Sequence, residues 1–157
     1  MKLRVALGAD HAGYAVKKEL MNQLTTEGYK VIDMGTHTEE PSDYPKFAYR
    51  VAKAVVSGRC DRGVLACGSG LGMEIAANKV KGVRAAAPWS ISAAKLASQH
   101  NWCNVLCVPS RFLSVNTIKK MVKTWLNTPF EKGGRHERRV KKILKIEAKQ
   151  QASADGI

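Results

Sequence analysis

The chain has 157 residues, 26 Lys and Arg against 13 Asp and Glu, and a formal net charge of +13. With 45% hydrophobic and 25% charged residues it has the composition of a folded domain, which excludes a disordered chain. No apolar run approaches the roughly 18 residues of a membrane span, and Gly8 and Asp10 interrupt the N-terminal apolar stretch too early for a secretory signal.

Leu3–Gly8 reads as a buried strand. Tyr14–Glu27 carries Val16, Leu20, Met21 and Leu24 at helical spacing and stops at Gly28. Tyr29–Met34 is a second strand, and the polar stretch Thr36–Pro45 is a loop. Phe47–Val56 is helical through Phe47, Val51, Ala54 and Val55. Gly63–Cys67 is a third strand that runs directly into Gly68-Ser69-Gly70-Leu71-Gly72 and a short helix to about Asn78. Val83–Ala87 is a fourth strand, Ser90–Gln99 a helix capped by Ser90, and Asn104–Val108 a fifth strand. Val115–Leu126 is helical, and a last helix spans about Arg135–Lys149. The reading is one domain over 1–150 with a flexible tail at 151–157.

Strands alternating with helices imply βαβ units, a parallel sheet and right-handed crossovers that place helices on both faces. The predicted fold is a three-layer α/β/α, Rossmann-like doubly wound sheet of about five strands with a C-terminal helix. Ligands of such sheets bind outside the carboxyl ends of the strands. That rule selects Asp10 and His11 after the first strand, Cys67 to Gly72 after the third, and Arg111 after the fifth.

The glycine turn lets the backbone approach a ligand, and free N–H groups at a helix start favour an anion. It is not a dinucleotide fingerprint, because Met73 stands where the third glycine is needed, nor a Walker loop, because no Gly-Lys-Ser/Thr follows. Alone it reads equally as a tight strand-to-helix connection. Cys67 shifts the balance: a thiol beside backbone donors and a helix start is expected to have a lowered pKa and to serve as base or nucleophile. Cys60, Cys103 and Cys107 read as buried small hydrophobes, and the four cysteines lack the paired spacing of a zinc site. Reduced thiols suit a cytoplasmic protein.

Of four histidines, His11 follows the first strand, His100 and Asn101 precede the fifth, and His136 lies between Arg135 and Arg139; His37 reads as solvated. Arg135 and Arg139, at i and i+4, share a helix face on the margin of the stripe Val140, Ile143 and Leu144, a semi-buried position suited to bidentate phosphate recognition. Residues 131–150 hold eight Lys and Arg against three acids. Arg138, Lys141, Lys142, Lys145 and Lys149 form a separate outward stripe, read as a solvated face.

Taken together, Asp10-His11-Ala12-Gly13, Ile32-Asp33-Met34-Gly35-Thr36, Asp43-Tyr44-Pro45, Cys67-Gly68-Ser69-Gly70-Leu71-Gly72, Ala76-Ala77-Asn78-Lys79, Gln99-His100-Asn101, Ser110-Arg111 and Gly133-Gly134-Arg135-His136 with Arg139 resemble the ribose-5-phosphate isomerase B family. That family also includes the galactose-6-phosphate isomerase subunits. The resemblance covers almost the whole chain; the segment beyond about Glu147 departs from it. It implies aldose–ketose isomerisation of a sugar phosphate through an enediolate, as in the pentose phosphate pathway, with neither metal nor cofactor. It also implies a homodimer or homotetramer whose site is shared between subunits.

By motif position, Cys67 would shuttle the proton between C1 and C2 and His100 would assist ring opening. The backbone N–H groups of Gly68, Ser69, Gly70, Leu71 and Gly72, with the Ser69 hydroxyl, would stabilise the oxyanion. Asp10 and Asn101 would hold sugar hydroxyls, and His11, Arg111, Arg135 and Arg139 would surround the phosphate. Some members carry the base on a Glu after the turn, which makes Glu74 the alternative base. Ser69 stands where Thr is common, keeping the hydroxyl.

The full Gln-His-Asn and Gly-Gly-Arg-His set favours ribose 5-phosphate and ribulose 5-phosphate over a hexose 6-phosphate such as allose or galactose 6-phosphate. A basic nucleic-acid-binding module is the contrasting class; the chain has 6% aromatic residues and no recognisable nucleic-acid motif, so no specific nucleic-acid partner and no membrane partner is expected. Retention of Cys67, His100, Arg135 and Arg139 argues against a catalytically silent subunit.

Overall fold

The computed structural model describes residues 2–155. Its strands are β1 (Arg4–Ala9), β2 (Lys30–Asp33), β3 (Arg62–Cys67), β4 (Ala85–Ala86) and β5 (Val105–Pro109). Its helices are α1 (Tyr14–Thr26), α2 (Tyr44–Val56), α3 (Leu71–Ala77), α4 (Ile91–Gln99), α5 (Val115–Asn127) and α6 (Arg135–Asp155). The strands pair in parallel in the order β2-β1-β3-β5-β4. Chain progression therefore reverses between β1 and β3, the switch point at which doubly wound sheets open a crevice.

Strand side chains alternate between two cores, as a sheet covered on both faces requires. Val5, Leu7, Ala9, Val64, Ala66, Leu106 and Val108 pack against Val16, Leu20 and Leu24 of α1, Ala94 of α4, and Ile118, Met121 and Trp125 of α5. Ala6, Leu65, Cys67, Val105 and Cys107 pack on the other face against Phe47, Ala48 and Val51 of α2 and Met73 and Ala77 of α3. These layers are the predicted architecture.

Several bounds differ from the sequence reading. Helix α2 begins at Tyr44 rather than Phe47, because Pro45 sits in its first turn, where its missing N–H costs nothing. The fourth strand shrinks to two residues at the sheet edge. The last helix does not stop near Lys149 but runs on to Asp155, so 151–155 of the expected tail are helical, while 156–157 lie outside the described residues. Only His136 and Val140 of α6 are buried, and Glu147 Oε1 accepts the Gly82 N–H at 2.8 Å. No described helix is long and apolar enough to cross a membrane.

Candidate active site

The first constellation forms where β1 and β3 end side by side. After β1 the chain makes a 3-10 turn, His11–Gly13, capped by Asp10, whose Oδ1 accepts the Gly13 N–H at 3.0 Å. Gly13 lies so close to β3 that a Cβ there would sit 2.0 Å from the Ala66 carbonyl oxygen. This contact seats Asp10, itself buried, beside the end of β3. His11 Nδ1 accepts the Ser42 N–H at 3.2 Å. With Nδ1 accepting, Nε2–H is the donor that the ring presents.

Cys67 is the last residue of β3, and its Sγ accepts the Gly70 N–H at 3.1 Å. Cys103 by contrast donates to the Val105 carbonyl, and burial pushes its thiol up to about 12. Cys67 does not have the lowered pKa expected from its position. Burial raises the thiol, and the N–H groups of Gly70, Met73 and Ser69 do not offset this against the added repulsion of Asp10. The resting group is a thiol whose sulfur is already held by the donors that would receive a thiolate.

Around it, Ser69 Oγ accepts the Leu71 N–H at 3.3 Å and Ser110 N donates to the Cys67 carbonyl at 2.9 Å. The Arg111 N–H bonds the Gly68 carbonyl, and its side chain lies across the turn, 3.3 Å from where a Gly68 Cβ would stand. Gly72 lies against Tyr44, whose Cζ would be 2.7 Å from a Cβ at that position, so only glycine admits the ring. Glu74 is committed elsewhere: its Oε1 accepts the Ala87 N–H at 3.0 Å, at the carboxyl end of β4.

The second constellation gathers at the C-terminus of α4. His100 caps that helix and stacks on His136, with centroids 3.8 Å apart and planes 2° from parallel. Arg135 Nε donates to His136 Nε2 at 3.4 Å. Burial lowers the pKa of His136, with His100, Arg135 and Arg139 adding to the effect and Glu131 opposing it. Next to Asn101, Trp102 is the one non-glycine among the described residues with a left-handed φ, at 50°. It is held between Arg84, 4.9 Å from the ring centroid, and Phe130, 5.3 Å away. Arg135 and Arg139 are exposed rather than semi-buried, because the helix buries only a narrow line and leaves Ile143 and Ile146 open.

His100, Glu131 and His136 are the described group whose ligand atoms lie within 4.8 Å of one another and could approach a metal. A metal binds imidazole in the ring plane, and two parallel planes 3.8 Å apart cannot share one ion. Arg135 and Arg139 add repulsion, so the geometry is not arranged for a cation.

The predicted residues thus divide into two sets. Asp10, His11, Cys67 to Gly72 and Arg111 stand at the carboxyl ends of β1, β3 and β5. His100 and Asn101 precede β5 and stand at its amino end, with Arg135 beside them through His136. The five residues of β5 separate the ends by about 13 Å.

Sequence reasoning missed two contributors. Tyr44 stood in a quoted motif without a role. Lys17 is 1% exposed, with Nζ 2.5 Å from Asp33 Oδ1 and 2.6 Å from the Thr36 carbonyl. Its signal was present: Lys17 precedes Leu20, Met21 and Leu24 by three, four and seven, placing it in the buried stripe.

The class is that of a doubly wound α/β protein whose β1, β3 and β5 carboxyl ends bring together a cysteine, a glycine turn rich in backbone donors and Arg111. The ribose/galactose isomerase family model matches residues 5–143. Ribose-5-phosphate isomerase B of Escherichia coli (strain K12) is 44% identical over 144 residues, covering 92% of this chain and 96% of that protein. The structure of Clostridium thermocellum ribose-5-phosphate isomerase B superposes with a TM-score of 0.92 at 46% identity, covering 94% of this chain and 99% of that one. The Mycoplasma genitalium ribose-5-phosphate isomerase B structure with bound ribulose-5-phosphate gives a TM-score of 0.89 at 42% identity, over 94% of this chain and 98% of that one. The chain belongs to the ribose/galactose isomerase family.

Proposed function

We propose that the protein interconverts D-ribose 5-phosphate and D-ribulose 5-phosphate through an enediolate. The observation that carries this is Cys67 at the end of β3, its sulfur already accepting a backbone N–H of the glycine turn. A proton α to a carbonyl is weakly acidic, so the reaction needs a positioned base and preorganised donors for the developing oxyanion. Cys67 moves the proton between C2 and C1. The N–H groups of Gly68 to Gly72 and the Ser69 hydroxyl receive the oxyanion. Asp10 and Asn101 hold sugar hydroxyls, and His100 assists ring opening. His11, as an Nε2–H donor, joins Arg111, Arg135 and Arg139 at the phosphate, whose binding energy positions the reacting end. Glu74, tied to the Ala87 N–H, is the weaker candidate for the base.

A site using both Cys67 and His100 draws them from two copies of the chain, because they stand at opposite ends of β5. The working unit in this reading is a homodimer, alone or as half of a tetramer. All four cysteines are free and buried, which fits the reducing cytoplasm. The test is ketose formation from ribose, allose and galactose phosphates in the presence of a chelator. The highest kcat/KM is expected on ribose 5-phosphate, undiminished by chelation. A preference for a hexose 6-phosphate would move the assignment within the family.

A further inference from the structure

The isomerase reading uses Arg135 and Arg139 of α6 and leaves its outward face without a task. At 100° per residue, Arg138, Lys142, Lys145 and Lys149 fall within about 60° of arc, stepped about 6, 4.5 and 6 Å along the axis. All four are exposed, and none has an ion-pair partner among the described residues. The three acids of α6 stand off the ridge: Glu137 pairs with Lys141 at 2.7 Å, Glu147 accepts the Gly82 N–H, and Asp155 accepts from the Gln151 amide at the far end of the helix. A depression of about 410 Å³ runs beside it, lined by Gly133, Gly134, Glu137, Arg138, Lys142 and Lys145 among others. Lys145 and Lys149 lie past residue 143, where the family match ends.

We propose that this ridge docks the sugar–phosphate backbone of nucleic acid without regard to sequence. A cationic line about 16 Å long faces about ten phosphate charges along the axis of a duplex. A lone phosphate would engage one or two of these groups, whereas a repeating polyanion engages all four. The one aromatic ring of helix α6, His136, is buried against His100 and leaves the ridge nothing with which to stack bases, so contact is confined to the backbone. An anionic membrane is the poorer fit. A surface helix enters a bilayer by a broad apolar face, and that of α6 is divided: Val140 is buried and Leu144 half-buried against the protein, which leaves two exposed isoleucines, Ile143 and Ile146, against four unpaired cations.

The experiment is fluorescence anisotropy of a labelled duplex titrated with the full chain across a salt series. Four phosphate contacts predict a log–log salt slope of about −3.6 or steeper. The variant Lys142→Glu/Lys145→Glu is expected to bind at least about tenfold more weakly at low salt, with a shallower slope, because two cations become repulsive. Its isomerase turnover and unfolding midpoint should match the parent chain, since neither residue belongs to the site or the core. No duplex binding at low salt, equal binding by the variant, or retention by phosphatidylserine vesicles in preference to duplex would each overturn the proposal.

Discussion

Cys67 shows how one residue's environment is a contest of terms. A strand end before a helix favours thiolate, but the sulfur is buried on the face shared with Met73 and Cys107, beside the Asp10 carboxylate. Burial wins, and the thiol titrates above its ordinary value. The base form is the thiolate, so a raised pKa moves the ascending, acid-side limb of the rate profile to higher pH. kcat/KM should climb about tenfold per pH unit and level off only above about pH 8.5, the unperturbed thiol value. Alkylation by iodoacetamide should follow the same limb. Cys67→Ala should lose proton exchange at C2 while retaining phosphate binding. A profile flat from pH 6 upward, or near-parental turnover in that variant, would remove Cys67 from the role of base.

At the scale of elements, periodicity and turn residues located the six α-helices and five strands but not the 3-10 turn at His11–Gly13, and ends and neighbours depended on forces that a linear pattern does not carry. The last helix continues to Asp155 because the segment 150–155 contains neither proline nor glycine. The strand-end rule selected Asp10, Cys67 and Arg111, since Asp10 directly follows β1, Cys67 ends β3 and Arg111 comes two residues after β5. It did not find His100, which precedes one, although a residue before a parallel strand must stand at its amino end. That placement is legible in the topology, whereas the role proposed for His100 rests on the family resemblance. Lys17 was hidden by its type. Its ammonium ties α1 to Asp33 and to the Thr36 carbonyl, while the neighbouring backbone pairs Ala9 with Gly35 and Thr36 at 2.7 Å, one residue before Asp10. Lys17→Met keeps the stem and removes the charge, leaving the Asp33 carboxylate, a quarter exposed, without its buried ammonium and with the Gly35 N–H and the exposed His37 as its remaining contacts. The expected loss is about 3 kcal/mol, read as a lower urea midpoint at unchanged m, because breaking a buried pair strands the remaining charge. Asp33→Asn in the same background should recover part of it.

At the scale of the whole molecule, the two constellations stand at opposite ends of a sheet whose strands cannot shorten. In the proposed reading, a chain acting alone would hold a base and an oxyanion site at one end and the ring-opening histidine with two phosphate arginines at the other. A two-fold partner that sets one end against the other completes two sites at once, and such symmetry makes the arrangement testable without a structure of the assembly. Cys67→Ala and His100→Ala should each be nearly inactive. When the two variants are mixed, unfolded and refolded together, half of the dimers are mixed. Each mixed dimer then carries both lesions in one site and none in the other. Activity should return to about a quarter of the parental value, the share of sites that escape both substitutions. If each site were built within one chain, every site in the mixture would keep a lesion and nothing would be regained. The same refolding with Cys67→Ala and Ser69→Ala, two residues of one constellation, supplies the control: sharing between chains predicts no recovery for that pair.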